Sequence, residues 1–133
     1  MIIAVDFDST IVKHEFPFIG AEVPGAIEAI KVLQQTNKII LYTMRSGLYL
    51  KEAVKFCKDK GIKLWGVNNN PDQHDWTSSK KIYAHYYIDD SCIGVPLIYK
   101  EGKRPYVNWK AVKEIFDKRN LLEDKENEII ECD

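Results

Sequence analysis

Short apolar runs rich in β-branched residues alternate along this chain with segments whose apolar residues recur every three or four positions. Residues 2–5, 39–42 and 62–67 have the length and composition of buried strands, whereas residues 26–35 and 47–60 have helical spacing. Strands that are connected through one helix run parallel to each other, because the helix carries the chain back to the end of the sheet at which the first strand began. The pattern predicts an α/β fold, a three-layer Rossmann-like arrangement with a mainly parallel sheet and helices on both faces.

The last part of the chain predicts a fourth strand, a hairpin and a closing helix. The run KIYAHYYI leads into the strand and ends directly before Asp89, and PLIYK and PYV form a hairpin or edge strands around Gly102. The segment WKAVKEIFDKRN has helical spacing, and Asn108 is placed as its N-cap. Gly61 stands where the C-terminal cap of the second helix is expected. We expect these elements to complete a single core.

The length and charge of the chain favour one domain of ordinary surface charge. A chain of 133 residues fits one domain, which we expect at residues 1–120, followed by an acidic, frayed tail at residues 121–133. The formal net charge is -1, so no overall field attracts the chain to nucleic acid or to an anionic membrane. A local basic patch is still compatible with that charge.

The cysteines and the first residues favour a soluble, cytoplasmic protein. The three cysteines are widely spaced and form no CxxC pair, which argues against a zinc site and a disulfide framework. The start MIIAVDFDST lacks the basic residues and the long apolar run of a signal peptide. Since no apolar stretch approaches the roughly 20 residues of a membrane-spanning helix, no membrane partner is expected.

Two acidic pairs follow predicted strands. Asp6 and Asp8 come after the first strand, and residues two apart on an extended backbone point the same way. Asp89 and Asp90 come after the fourth strand, and the carboxyl ends of parallel strands meet at one edge of the sheet. Carboxylates gathered there repel each other, and Mg²⁺, which prefers oxygen ligands, is the natural cation to relieve them. The alternative for each pair alone is a solvated acidic turn.

Side chains suited to phosphate stand between the two acidic pairs. Thr43 ends the second strand with a hydroxyl, and Arg45 offers a forked donor two residues later. Lys80 and Lys81 precede the second pair, where one lysine can offset negative charge on a phosphate. Each also has a structural interpretation, as a strand-terminal threonine, a surface arginine at a helix start, or surface lysines. The joint order of acidic pair, threonine, lysine and acidic pair favours a shared phosphate site.

This ordered set resembles the motifs of the haloacid dehalogenase-like hydrolase superfamily. The first motif of that family, DxDx[TV], matches DFDST, and the second, an apolar strand ending in Thr or Ser, matches IILYT. The lysine of the third motif is met by Lys81 or Lys80, and the closing acidic pair is met by YIDD. The likeness spans residues 2 to 90, and Ser9 stands where the family often has glycine.

The resemblance implies a magnesium-dependent phosphatase that works through an aspartyl-phosphate intermediate. Asp6 would attack phosphorus, and Asp8 would protonate the leaving oxygen and then activate the hydrolytic water. Mg²⁺ would be held by Asp6, the backbone carbonyl of Asp8, and Asp89 with or without Asp90. The phosphate would be held by Thr43 and Lys81 or Lys80 as catalytic and binding groups, with Arg45 as a further binding candidate.

The gaps between the motifs are too short for the cap domain that many relatives of that superfamily insert. About thirty residues separate DFDST from IILYT, and much of that stretch is one predicted helix. An uncapped site is open, so we expect the substrate to be a small-molecule phosphate ester or a phosphorylated polymer end. Residues 13–20 are candidates for a small flap. A neighbouring subunit of a homo-oligomer is another source of a wall for the site.

Two other classes compete with this interpretation. A phosphorylated receiver domain also combines aspartates, a threonine and a lysine on a parallel sheet, but its phosphorylated aspartate follows the third strand and its lysine comes last. Here the third strand ends in asparagine and the lysines precede the last acidic pair. A catalytically idle phosphate- or nucleic-acid-binding module would be expected to have a basic stripe, which is missing. A nucleic-acid end phosphatase, still an enzyme, stays open.

Overall fold

A computed structural model describes the backbone of residues 1–132 and the side chains of residues 1–120. The acidic tail expected at residues 121–133 lies outside the described side chains. The helices and strands, with a 3-10 turn at Gln73–Asp75, are β1 (Ile2–Val5), β2 (Val12–Glu15), β3 (Phe18–Glu22), α1 (Ala26–Leu33), β4 (Lys38–Leu41), α2 (Gly47–Asp59), β5 (Leu64–Val67), β6 (Tyr86–Ile88), β7 (Leu97–Ile98), β8 (Tyr106–Val107) and α3 (Trp109–Cys132).

A four-stranded sheet with the strand order β5-β4-β1-β6 forms the centre of the molecule. All its neighbouring strands are parallel, with Ile3 opposite Ile39 on one side and opposite Tyr86 on the other. The predicted α/β fold with a parallel sheet is therefore confirmed, and it is consistent with a Rossmann-like fold. β2 pairs with β3 and β7 with β8, each as an antiparallel hairpin outside this sheet.

Side chains of the central strands alternate between two separate apolar clusters, as the period of a strand requires. The larger cluster contains Ile3 and Val5 of β1. It also contains the buried side chains of all three helices, among them Ile30, Cys57 and Trp109. The helices α1, α2 and α3 therefore cover the same face of the sheet.

The opposite face packs against the connection between β5 and β6. A smaller cluster joins Ala4 and Ile40 of the strands to Ile82 and Ala84 of this connection. The connection crosses from one edge strand to the other as coil with a single 3-10 turn. Its buried Gln73 hydrogen-bonds to three backbone groups of the same segment, which keeps the coil ordered. Helices on both faces, as in the predicted three-layer arrangement, are not confirmed in the described part of the chain.

Local signals in the sequence mark two of the helix ends. α2 is followed by Gly61 with a φ of 85°, the left-handed conformation that glycine adopts without strain. Asn108 precedes α3, and its side-chain oxygen accepts a hydrogen bond from the backbone N–H of Ala111 at 3.2 Å. Both caps agree with the sequence. β6, in contrast, begins only at Tyr86, so most of the run KIYAHYYI belongs to the connection.

The two hairpins lie next to the turn that follows β1. Val107 of β8 donates its backbone N–H to the carbonyl of Ser9 at 3.0 Å, and the indole of Trp109 donates to the carbonyl of Thr10 at 2.7 Å. The β2–β3 hairpin, called the flap hairpin below, contains the predicted flap residues 13–20. Lys13 of this hairpin lies over the ring of Tyr106, 5.3 Å from its centre. Within residues 1–132, none of the helices combines the length and apolar character that crossing a membrane requires.

Candidate functional site

The carboxyl ends of three neighbouring strands bring the predicted site residues together. Asp6 directly follows β1, Thr43 follows β4 and Asp89 directly follows β6, and these strands are adjacent in the sheet. They border an open cleft between the flap hairpin and the β7–β8 hairpin. The cleft is lined by Asp6, Asp8, His14, Phe16, Thr43, Met44, Arg45, Asp89, Asp90, Ser91 and Arg104.

Three carboxylates of the cleft converge on one point. Asp6, Asp89 and Asp90 each offer an oxygen, and these oxygens lie within 4.8 Å of one another. Thr10 links the two acidic motifs, because its hydroxyl donates to Asp6 at 3.0 Å and accepts from the backbone N–H of Asp90 at 3.3 Å. The backbone N–H of Ser91 donates a hydrogen bond to the carboxylate of Asp89 at 2.9 Å. The two acidic motifs are thus brought together as the sequence predicts.

The carboxylates of this cluster are costly to ionise together. Burial, the charge of Asp89 and a hydrogen bond to Asp90 raise the pKa of Asp6 to about 8, although the hydroxyl of Thr10 acts in the opposite direction. Burial, with a contribution from Asp90, also raises the pKa of Asp89. Oxygen donors that repel each other in a half-buried site are the ligand set of a hard divalent cation. The three aspartates could therefore hold a metal ion.

The carboxylate of Asp8 lies outside this cluster and is paired with Arg45. The Nε of Arg45 donates to one carboxylate oxygen of Asp8 and its Nη2 to the other, both at 2.8 Å. The arginine side chain is 1% exposed and that of Asp8 17%, so the pair is largely shielded from water. Two parallel bonds of this kind fix the orientation of the carboxylate. In the metal prediction, Asp8 contributes its backbone carbonyl, which this pairing leaves unused.

Arg45 borders the cleft, and its guanidinium is paired with protein groups. Besides Asp8, its Nη2 donates to the carbonyl of Phe18 at 2.9 Å and its Nη1 to the carbonyl of Pro17 at 3.3 Å. The guanidinium also lies over the rings of Phe7 and Phe16 at 5.0 and 5.2 Å. Its donors thus point to protein groups, because the side chain is buried between the β1 turn and the flap hairpin. Arg45 joins Asp8 to the flap in this structure, and its expected contact with a phosphate stays a prediction.

Thr43 keeps the position that the sequence predicts. Its hydroxyl oxygen accepts the backbone N–H of Arg45 at 3.1 Å, which leaves the hydroxyl proton available to a ligand. Its own backbone N–H donates to the side chain of Asn68 at 2.7 Å. Asn68 has a φ of 49°, a left-handed conformation that asparagine tolerates better than most residues. The sequence gave no signal that Asn68 supports Thr43.

Neither Lys80 nor Lys81 is among the residues that line the cleft. Both are exposed, and the backbone of Lys81 is held within the β5–β6 connection by Ser79 and Gln73. The next residue, Ile82, is buried in the smaller apolar cluster on the second face of the sheet. The structure therefore does not place either lysine among the cleft residues, and the active-site lysine stays a prediction.

Residues of both hairpins also line the cleft, and those of the flap hairpin belong to the segment 13–20 that the sequence proposed as a flap. His14 and Phe16 come from the flap hairpin, and Arg104 comes from the turn of the β7–β8 hairpin. The sequence gave no signal for Arg104. Strand periodicity identifies the sheet edge, but it does not show which surface hairpin folds over it.

Neither the family models nor the curated proteins gave a match to this chain. A solved structure, that of a conserved protein from Bacteroides thetaiotaomicron, is similar over 90% of this chain and 91% of its own, with 36% sequence identity and a TM-score of 0.72. The chain belongs to the family of that conserved protein. The Bacteroides protein is described only as conserved, so its family supplies a fold, and the chemistry has to be argued from the site.

Proposed function

We propose that this chain is a magnesium-dependent phosphate-ester hydrolase of the haloacid dehalogenase-like type, without a cap domain. The observation that supports this most directly is the convergence of Asp6, Asp89 and Asp90 on one point at the carboxyl edge of a parallel sheet. Thr43 borders the same cleft, as the motif order of that superfamily requires. We infer a cytoplasmic enzyme, with a homo-oligomer as a further possibility.

The metal would be held by the carboxylates of Asp6, Asp89 and Asp90 and by the backbone carbonyl of Asp8. When bound, Mg²⁺ would draw charge from the phosphate oxygens and lower the repulsion between carboxylate and phosphate. The cluster supports this assignment because burial and the charge of Asp89 raise the pKa of Asp6 to about 8, and a cation bound there would favour the ionised carboxylates.

Asp6 is the proposed nucleophile. One of its carboxylate oxygens would form a bond to phosphorus while the bond from phosphorus to the leaving oxygen breaks, which gives an aspartyl phosphate and an alcohol. Thr10 donates to the other oxygen of the same carboxylate in the present geometry, at 3.0 Å. This hydrogen bond orients Asp6 so that its remaining lone pairs face the cleft. The hydroxyl of Thr43 would donate to a phosphate oxygen.

Asp8 is the proposed acid and base, with Arg45 as its positioning residue. In the second step Asp8 would take a proton from the water that attacks the aspartyl phosphate, which releases inorganic phosphate and restores Asp6. Both oxygens of Asp8 accept hydrogen bonds from Arg45, so giving a proton to the leaving oxygen in the first step requires one of these bonds to open. The arrangement favours the base half of the reaction.

The openness of the cleft supports a substrate that is a small-molecule phosphate ester or the phosphorylated end of a polymer. The flap hairpin contributes Phe16, about half exposed, to the cleft, and Met44, which is 98% exposed, also lines it. An exposed apolar edge next to a polar site is typical of a surface that contacts a substrate or partner.

The test is hydrolysis of 4-nitrophenyl phosphate, with Mg²⁺ and with chelator, by the wild type and by Asp6→Asn. We expect turnover that needs the metal and a loss of about 10³-fold or more in the variant, because an amide cannot form the ester bond. Asp75→Asn, an exposed aspartate in the 3-10 turn, is the matched control and should retain full activity. Equal activity in wild type and Asp6→Asn would contradict the nucleophile, and no turnover of any phosphate ester would favour an idle binding module.

A further inference from the structure

We propose that Arg104 binds the phosphate group of the substrate, in the role that the sequence suggested for Lys80 or Lys81. The proposal rests on the phosphatase function argued above and names a residue from an element outside the four sequence motifs. It makes the β7–β8 hairpin part of the active site.

The charges of the cleft require another cation. Arg45 is committed to Asp8, so Asp6, Asp89 and Asp90 remain as three carboxylates facing an open cleft. A divalent cation offsets two of these charges when all three groups are ionised, and a phosphate ester brings further negative charge. Without another cation the phosphate would approach a site of its own sign, which costs free energy in a partly buried place.

Arg104 is in the right place and is uncommitted. It lines the cleft together with the acidic cluster, whereas Lys80 and Lys81 do not. No ion pair joins its guanidinium to any carboxylate among the described side chains of residues 1–120. An exposed, unpaired guanidinium offers the planar fork that matches two oxygens of a phosphate.

The backbone that follows Arg104 is hydrogen-bonded to the turn that follows Asp6, the proposed nucleophile. Three residues after Arg104, Val107 is fully buried and donates its N–H to the carbonyl of Ser9 at 3.0 Å. Tyr106, which lies between them, is 3% exposed, and the ammonium group of Lys13 in the flap hairpin lies over its ring. The base of the hairpin thus holds its place relative to Asp6 and Asp8, while the turn that contains Arg104 stays exposed.

Two measurements on one set of variants test the assignment. The set is Arg104→Ala, Arg104→Lys, Lys103→Ala, Lys80→Ala and Lys81→Ala, in which Lys103 is the exposed neighbour that does not line the cleft. The first measurement is kcat/KM for 4-nitrophenyl phosphate with Mg²⁺. The second is the affinity for inorganic phosphate by calorimetry, with and without Mg²⁺, and the affinity for Mg²⁺ alone.

We expect Arg104→Ala to lower kcat/KM and phosphate affinity by about 10- to 100-fold, the range of one or two charge-assisted hydrogen bonds. Arg104→Lys should recover part of the loss because it keeps the charge, and the three lysine variants should stay within about twofold. The affinity for Mg²⁺ alone should not fall in Arg104→Ala, since removing a cation cannot weaken a cation site through charge.

Distinct results would overturn the assignment. Arg104→Ala with wild-type kinetics, or a large loss in Lys80→Ala or Lys81→Ala instead, would return the role to a lysine. A parallel loss of Mg²⁺ binding in Arg104→Ala would mean that the residue supports the fold of the site rather than the phosphate. A wild type that neither hydrolyses the ester nor binds phosphate would refute the phosphatase function itself, and this result is separate from the others.

Discussion

Metal-free protein is expected to lose stability as the pH rises from about 5 to about 8. Burial, the charge of Asp89 and a hydrogen bond to Asp90 raise the pKa of Asp6 to about 8, whereas a free aspartate titrates near about 3.9. Between these values the folded chain holds a proton that the unfolded chain has released. Because the unfolded state binds fewer protons there, the free energy of unfolding falls as the pH rises. The contribution is complete below about pH 4 and is lost through about pH 8.

The size of the stability loss follows from the difference between the pKa of Asp6 in the folded and in the unfolded chain. A difference of about four pKa units corresponds to at most about 5 kcal/mol, and partial exposure of Asp6 to water reduces the expected loss to about 2–3 kcal/mol. A divalent cation bound to Asp6, Asp89 and Asp90 would take the place of the proton. At a free concentration of about 100 times its dissociation constant it would add about 2.7 kcal/mol. The two effects together predict that Mg²⁺ stabilises the protein most at the alkaline end.

Urea unfolding at several pH values between about 5 and 8, with chelator and then with Mg²⁺, measures both effects. Asp6→Asn is the control variant, because a neutral amide removes the titrating group and the repulsion but keeps the shape. Its unfolding free energy should change much less with pH, and it should exceed that of the metal-free wild type near pH 8. A wild type that becomes more stable between about pH 5 and 8 in chelator, or a variant with the same slope, would refute the reasoning.

Three further predictions concern the groups that hold the site together. Arg45→Met should lower the free energy of unfolding by about 3–5 kcal/mol, because it leaves Asp8 unpaired in a largely buried place. Adding Asp8→Asn to that variant should restore part of the lost stability, as a double-mutant cycle measured by urea unfolding would show. Trp109→Phe removes the hydrogen bond to the carbonyl of Thr10 and should cost about 1–3 kcal/mol in thermal unfolding. Asn68→Ala leaves the N–H of residue 43 without its acceptor and should lower kcat/KM about tenfold for 4-nitrophenyl phosphate, whereas Asn68→Asp should retain most activity.

The sheet and its polar edge were predictable because short-range patterns determine them. Runs of consecutive apolar residues, without alternating polar ones, form strands that are buried on both faces. In this chain such runs are β1, β4 and β5, whose ends lie within two residues of the predicted limits. Glycine and asparagine at helix ends act through their own backbone, so Gly61 and Asn108 were identified from sequence alone. The gathering of Asp6 and Asp89 followed from strand direction.

What the sequence did not predict depends on contacts between distant segments. Arg45 looks like an exposed donor when read beside its neighbours, and only the fold shows that Asp8 and two carbonyls of the flap hairpin surround it. The lysines stood in the expected order, but neither is among the residues that line the cleft. Arg104 had no signal, because its nearness to the cleft comes from the bond between Val107 and Ser9.

The bonds from Val107 to Ser9 and from Trp109 to Thr10 have a consequence for biosynthesis. The turn that contains the proposed catalytic aspartates is translated within the first ten residues, but its last hydrogen-bond donors are about 100 positions later. A nascent chain therefore cannot form all the hydrogen bonds of this turn until most of the polypeptide has left the ribosome. The proposed activity should thus appear only late in synthesis, and a chain released before Trp109 should lack it even if its sheet has formed.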